Sequence, residues 1–203
     1  MTAAASNSAR VLPPAITLLA EVFSSTIRAE VLAYMVPRDG TAYSLTELAR
    51  ALGLAVSSVQ HECYKLERLH LISGKREGSS RRYRLASQHP LMPALQRLVL
   101  TALGPSAAFE AAMDNCEGLT AAILVDQDGR SPGSVDLILV GDLDFAELPP
   151  LQDRVATIFE LERHKVGLSF YSAATWQEHQ ETESALSQRL NARKKLAIWG
   201  IPE

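Results

Sequence analysis

Cysteine is scarce in this chain. Cys63 and Cys116 are the two in 203 residues, too few for a disulfide framework and without the spacing of a zinc site. No apolar run approaches the ~20 residues that a membrane-spanning helix needs. The opening stretch from Met1 to Arg10 is small and polar, and lacks the basic and apolar regions of a secretory leader. These absences point to a cytoplasmic protein with no membrane partner. Internal repeats and low-complexity tracts are missing too. So are a Ser/His/Asp set and a phosphate loop. His164, Trp176 and His179 have no partner at a catalytic spacing, so packing is the expected role of each.

What is present is ordinary in bulk and uneven in distribution. Apolar residues make up 47% and charged residues 21%, as in a soluble globular protein of one large domain or two small ones. The net charge of −3 conceals a split. Residues 1–104 hold twelve Lys and Arg against seven Asp and Glu, whereas residues 105–203 hold eight against sixteen. A basic half beside an acidic half suggests two modules with different partners.

Along the basic half, Pro13-Pro14 ends a flexible start over residues 1–15. Leu19, Phe23, Ile27, Val31 and Met35 then recur every four residues, which predicts one helix from Ile16 to Val36. The Arg38-Asp39-Gly40 turn closes it. Ser44 to Ala51 reads as a second helix opened by a capping box, with Glu47 three residues after Ser44. Gly53 is its left-handed stop. A third helix follows from Val56 to Leu69, with Val59, Cys63, Leu66 and Leu69 inward, Cys63 as a small buried hydrophobe. Leu71–Arg76 and Arg82–Leu85 alternate like two strands around a Glu77-Gly78-Ser79-Ser80 tip. Met92 to Leu103 is a connecting helix, and Gly104-Pro105 marks the domain boundary.

This order is that of a winged helix-turn-helix, a unit that sets one helix in the major groove of double-stranded DNA and a hairpin against the backbone. Gln60 and His61 occupy the positions that reach base edges, with Ser57 and Ser58 nearer phosphate. Tyr64 and Lys65 complete the outward face, although Tyr64 could equally be core. Lys75, Arg76, Arg81, Arg82 and Arg84 surround the hairpin tip, where phosphates would lie.

In the acidic half, Ala107–Asn115 reads as a helix, and Leu119–Val125 and Val135–Val140 as buried strands. Leu151–Arg163 follows as a helix, Val166–Tyr171 as a strand and Trp176–Leu196 as a helix. Residues 18–104 resemble the winged helices of bacterial regulators of the arsenical-repressor type. Residues 105–200 resemble the minimal nucleotidyltransferase-like domain that some of them carry. The second resemblance rests on Val135-Asp136-Leu137-Ile138-Leu139-Val140-Gly141-Asp142, Tyr171-Ser172-Ala173-Ala174-Thr175-Trp176 and Lys194-Lys195-Leu196-Ala197-Ile198-Trp199-Gly200.

The resemblance implies a regulator, and it also implies decay of the catalytic site. Active members hold Mg²⁺ with an Asp-x-Asp pair, and here that position reads Ser134-Val135-Asp136. The Gly-Ser loop is replaced by Val125-Asp126, and Val166–Phe170 offers no third carboxylate. Two divalent ions need several bridging carboxylates, so no catalytic residue and no cofactor is expected. Asp126 and Asp136, with Asp128, remain candidates for holding a hard cation, and Asp142-Leu143-Asp144 for a substitute pair.

The expectation is thus an α+β protein: a DNA-binding domain over 16–104 and an inactive nucleotidyltransferase-like domain over 105–203. The second domain would serve sensing of a small-molecule or protein effector, dimerisation or partner binding. A homodimer is expected, through the first and connecting helices. An active nucleotidyltransferase using Mg²⁺, or an adaptor whose winged helix binds protein, stay open as alternatives.

Overall fold

The computed structural model describes residues 11–78, 80–114, 116–126, 133–182, 188 and 192–200. It is a mixed α+β structure with two sheets. Helix α1 runs over Pro14–Phe23 and α2 over Thr26–Met35, so the single helix expected from Ile16 is two. Ser24 adopts φ 52° and closes α1, while the Ser25 hydroxyl accepts the Arg28 N–H and caps α2. The four-residue apolar period crosses this break undisturbed, because both helices bury their stripe in the same core.

A 3₁₀ turn, Val36–Arg38, and a short strand β1, Tyr43–Ser44, lead to α3, Leu45–Leu52. The capping box forms as expected. The Ser44 hydroxyl accepts the Glu47 N–H at 3.2 Å, and the Glu47 carboxylate accepts the Ser44 N–H at 2.8 Å. Gly53, at φ 63°, ends α3 in the left-handed region that disfavours a Cβ. Helix α4, Val56–Arg68, buries Val59, Cys63 and Leu66 against α2 and α3. Leu69 is 54% exposed rather than inward, since His70 at φ 57° turns the chain away and Ile72 fills the core instead. Strands β2, Ile72–Glu77, and β3, Ser80–Leu85, form an antiparallel hairpin, and β1 pairs with β3 to give the order β1-β3-β2. Helix α5, Met92–Leu103, packs across α1 and α2.

Gly104, at φ 80°, joins α5 to α6, Pro105–Met113. The second sheet has the order β6-β5-β4-β7. It comprises β4, Leu119–Asp126; β5, Val135–Gly141; β6, Val166–Tyr171; and β7, Lys195–Trp199. The apolar runs of β4 and β5 are buried, but their pairing is antiparallel, as is β4 with β7; only β5 and β6 run parallel. Leu124, Leu137 and Leu139 face the main core. Ile123, Ile138 and Val140 face a smaller cluster with Trp176.

Four boundaries depart from expectation. Helix α7 covers Leu148–Ile158, beginning at Pro149-Pro150, which fit a first turn where no N–H partner is needed, and ending before Arg163. Helix α8 covers only Ala173–Glu181. Lys195 and Leu196, expected to end that helix, instead open β7, whose Ala197 lies against Leu124. The expected flexible start extends to residue 15, yet α1 begins at Pro14.

One apolar cluster runs from Leu19 to Ala197 and so joins both halves. Helices α6 and α7 dock on the 36–38 turn, and α6 also on α5. Leu66 is fully buried in this cluster. Leu66→Ala is expected to lower unfolding stability by about 2–5 kcal/mol, read as a lower urea midpoint at unchanged slope.

Candidate nucleic-acid interface

Helix α4 divides cleanly by its period. At ~100° per residue, Ser57, Gln60, His61, Tyr64 and Arg68 share an arc of about 100°, and all five are exposed. Val59, Glu62, Cys63 and Leu66 lie opposite and are buried. Tyr64 is 62% exposed, which places it with the polar stripe and not the core. Ser58 and Lys65 flank the stripe, half-buried. Among the described residues, the main packing neighbours of α4 are α2, α3 and β2, all in the N-terminal half. Arg68, together with Arg50 on α3, is an exposed cation that the motif reading passed over. Arg68 was legible from the period of the stripe itself.

The opposite side of α4 is anchored by charge. Glu62 has a side chain 7% exposed and accepts from Arg28 of α2 at 3.0 and 2.9 Å and from Lys65 at 2.8 Å. Arg28 also donates to the Phe23 carbonyl at the end of α1. Burial pushes the Glu62 carboxyl up, but the Lys65 and Arg28 hydrogen bonds outweigh it and the net shift is down. The Cys63 thiol is pushed up to about 12 by burial, then by Glu67 and Glu62. A thiol in that state is protonated and inert, which agrees with its reading as a small hydrophobe.

The hairpin is tied to α4 by Glu67. Its carboxylate accepts the Gly74 N–H at 3.0 Å and the Arg81 guanidinium at 2.5 Å. Gly74 is required by this crossing, because a Cβ there would meet Arg81, Glu67 and the Tyr83 ring at once. Arg82 donates to the Ala42 carbonyl and to Glu47, and Arg84 to Glu77. The Ser44 N–H bond, helped by Arg82, holds the Glu47 carboxyl below its usual range. Three of the five expected hairpin cations are thus paired on the protein. Lys75 and Arg76, exposed near the tip, have no ion-pair partner among the described residues.

The expected metal candidates do not converge. Asp126 ends β4 opposite Val135, and Asp136 forms an ion pair with Arg193 at 2.7 Å. Asp128 lies outside the described residues. Asp144 caps the following turn through the Ala146 N–H, and Asp142 is exposed. Among the described residues no group of three His, Cys, Asp or Glu could hold a metal ion. No described helix is long and apolar enough to cross a membrane. Trp176 is buried, in keeping with a packing role, His179 meets the Tyr171 ring edge-to-face, and His164 contacts Glu162 at 3.2 Å.

No protein-family model matches the chain, and no curated protein matches it. Among solved structures the chain is similar to reduced HlyU from Vibrio cholerae N16961, at 18% identity and a TM-score of 0.33. The match covers 44% of this chain and 85% of that one. A likeness of this size carries no functional argument.

Glu62 and Glu47 give the interface a defined acid response. Carboxyls depressed by folding add stability that is fully present above their unfolded range, ~4.3, and is lost as pH falls through their lower folded values. Glu62→Gln is therefore expected to flatten the fall of Tm below about pH 5 relative to the wild type. Glu62→Ala, which leaves Arg28 and Lys65 without their shared acceptor, is expected to cost about 3 kcal/mol at neutral pH. An acid profile unchanged in Glu62→Gln would show that this carboxylate is not the group titrating.

Proposed function

We propose that this protein is a sequence-specific, DNA-binding transcriptional regulator of the cytoplasm, with a winged helix-turn-helix in its N-terminal half. One observation supports this reading above the others. The polar stripe of α4 is exposed, the hairpin carrying Lys75 and Arg76 is joined to the same helix through Glu67, and the acidic half docks chiefly on the 36–38 turn and α5. A helix entering the major groove needs an uncovered polar face, and a hairpin meeting phosphate needs cations not already neutralised. In this reading Gln60 and His61 read base edges, with Tyr64 beside them. Ser57, Ser58, Lys65 and Arg68 hold the flanking backbone, and Lys75 and Arg76 meet phosphates at the wing. Arg81, Arg82 and Arg84 keep the wing in place and contribute field more than contact.

The C-terminal half is proposed as a nucleotidyltransferase-like domain without catalysis, retained for sensing, dimerisation or partner binding. The ion pair of Asp136 with Arg193 favours this over group transfer, since a metal would have to displace a guanidinium held at 2.7 Å.

A homodimer is proposed on exposed apolar residues of two contacting helices. On α1 and its lead-in, Val11, Leu18 and Val22 are exposed, as are Leu91 and Leu98 on and before α5. With half-buried Ala15, Leu95 and Ala102 they form two sets at the four-then-three spacing of a helix seam. The two helices are in contact, and their exposed residues are the surface proposed for a second copy.

Anisotropy titrations of DNA duplexes across a salt series test the reading. Lys75→Ala and Arg76→Ala are each expected to weaken binding to every duplex and to lower the salt slope by about one. Gln60→Ala is expected to relax preference at one base position by about 1–3 kcal/mol. An unchanged salt slope in the Lys75/Arg76 double variant takes the hairpin out of the interface. Leu18→Asp with Leu98→Asp is expected to convert a dimer to a monomer by sedimentation, and a wild-type monomer at all concentrations rules the dimer out.

A further inference from the structure

A cleft of about 930 Å³ opens where the two halves meet, within the size range of small-molecule sites, ~300–1,000 Å³. Both halves line it. Arg38, Thr41 and Tyr43 come from the segment leading into α3, and Cys116 and Arg154 from the C-terminal half.

Its polar groups are sorted by depth. Arg38 lies at the floor with a side chain 8% exposed. Its two terminal nitrogens donate to Tyr34 O and to Asp114, and the group stacks 4.2 Å from the Tyr34 ring centroid. Its Nε–H is buried and has no acceptor. Arg154 is half-buried and donates to Asp39 O, Thr41 Oγ1 and Ala112 O, and among the described residues it has no carboxylate partner. The rim is of the opposite sign. Glu117, Asp142, Asp144 and Glu147 line the cleft, are exposed, and take part in no ion pair among the described residues.

Arg38 is already matched by Asp114, whereas the Arg154 guanidinium has no carboxylate partner among the described residues. A half-buried guanidinium in that state asks for an anion. Four solvated carboxylates at the mouth repel a simple anion and attract a cation. Only a molecule carrying both charges satisfies the two ends together.

We propose that this cleft binds a small zwitterion, with its carboxylate on Arg154 and its ammonium at the Asp142–Asp144–Glu147 rim. Free amino acids are the simplest members of that class, and short peptides are the other source of the same chemistry. The ligand would bridge the halves and touch Thr41 and Tyr43, and Tyr43 pairs across β1 with Tyr83 of the hairpin. Occupancy is thereby connected to the wing through one pair of strands. The site itself does not depend on the DNA-binding reading.

The test is thermal shift and calorimetry on the full chain without DNA, using free L-amino acids and glycyl dipeptides as probes. Each hit is compared with its N-acetylated and its C-amidated form. Binding of one or more zwitterions is expected, with a Tm rise of about 2–4 °C near saturation. Each blocked form is expected to bind about tenfold or more weakly, a loss of about 1.4 kcal/mol. Preference for dipeptides over free amino acids would identify peptide as the source. Asp142→Asn with Glu147→Gln changes exposed side chains outside any described ion pair, and should lower affinity at unchanged Tm of the unliganded protein. The proposal is overturned if no probe binds, if the blocked forms bind as well as the free ones, or if the rim variant binds unchanged.

Discussion

The clasp that Glu67 makes between α4 and the hairpin is the constraint on which the interface depends. One carboxylate accepts both a backbone N–H of β2 and a guanidinium of β3, so the hairpin cannot rotate against the helix without breaking both bonds. The room for this crossing exists because residue 74 has no side chain. On the far side of the same helix, Glu62 joins α4 to α2 and, through Arg28, to the end of α1. Two carboxylates therefore fix α4 from opposite directions. The polar stripe between them is displayed on a rigid element, which is what recognition of a fixed surface requires.

The junction of the halves is organised around four residues of a turn. Arg38 reaches Asp114, and the Asp39 carboxylate accepts from Ser87 and from Gln96 of α5. The Asp39 carbonyl and the Thr41 hydroxyl receive Arg154 of α7. Charge-assisted bonds to backbone carbonyls are directional and stronger than neutral ones. They fix the approach of α7, while the apolar contacts beneath supply most of the burial. The same turn leads into β1 and α3. Any shift of the C-terminal half is therefore applied at the entrance of the helix-turn-helix and at the strand that pairs with the hairpin.

Much of the N-terminal half was legible because its signals are local. The capping box at Ser44 and Glu47, the glycine stop at 53 and the alternation across 72–85 each depend on residues within a few positions of one another. The break at Ser24-Ser25 was hidden because the apolar period runs through it, and only the capping potential of serine marks it. Leu69 misled for a related reason: its spacing fits the helix, but His70 takes a left-handed conformation that no pattern announces. In the C-terminal half, β7 went unassigned and its first two residues were read as helix, because its partner β4 lies about 75 positions earlier in the chain. The role of Asp136 was opaque likewise, since Arg193 comes from far along the sequence. The pairing of the hairpin arginines with Glu47 and Glu67 belongs to the same class. A count of basic residues sees charge but not the carboxylates that fold back on it.

That pairing shapes how a basic hairpin can act. Five cations around the tip face three nearby carboxylates, Glu47, Glu67 and Glu77, which leaves an excess of two. Lys75 and Arg76 are the two without an ion-pair partner among the described residues, and they stand opposite Arg82 and Arg81, so the excess lies on β2 rather than on β3. Exposed ion pairs of this kind contribute little stability, typically under about 1 kcal/mol each. Their effect is to order long side chains and to cancel field near the body of the domain. A phosphate approaching the tip meets a localised charge of about two, while the flanking arginines can exchange a carboxylate for a phosphate at small net cost. Such an arrangement limits the sequence-independent attraction that a fully unpaired cluster would exert. Discrimination must then come from the polar stripe of α4, where Gln60 and His61 are exposed and unencumbered.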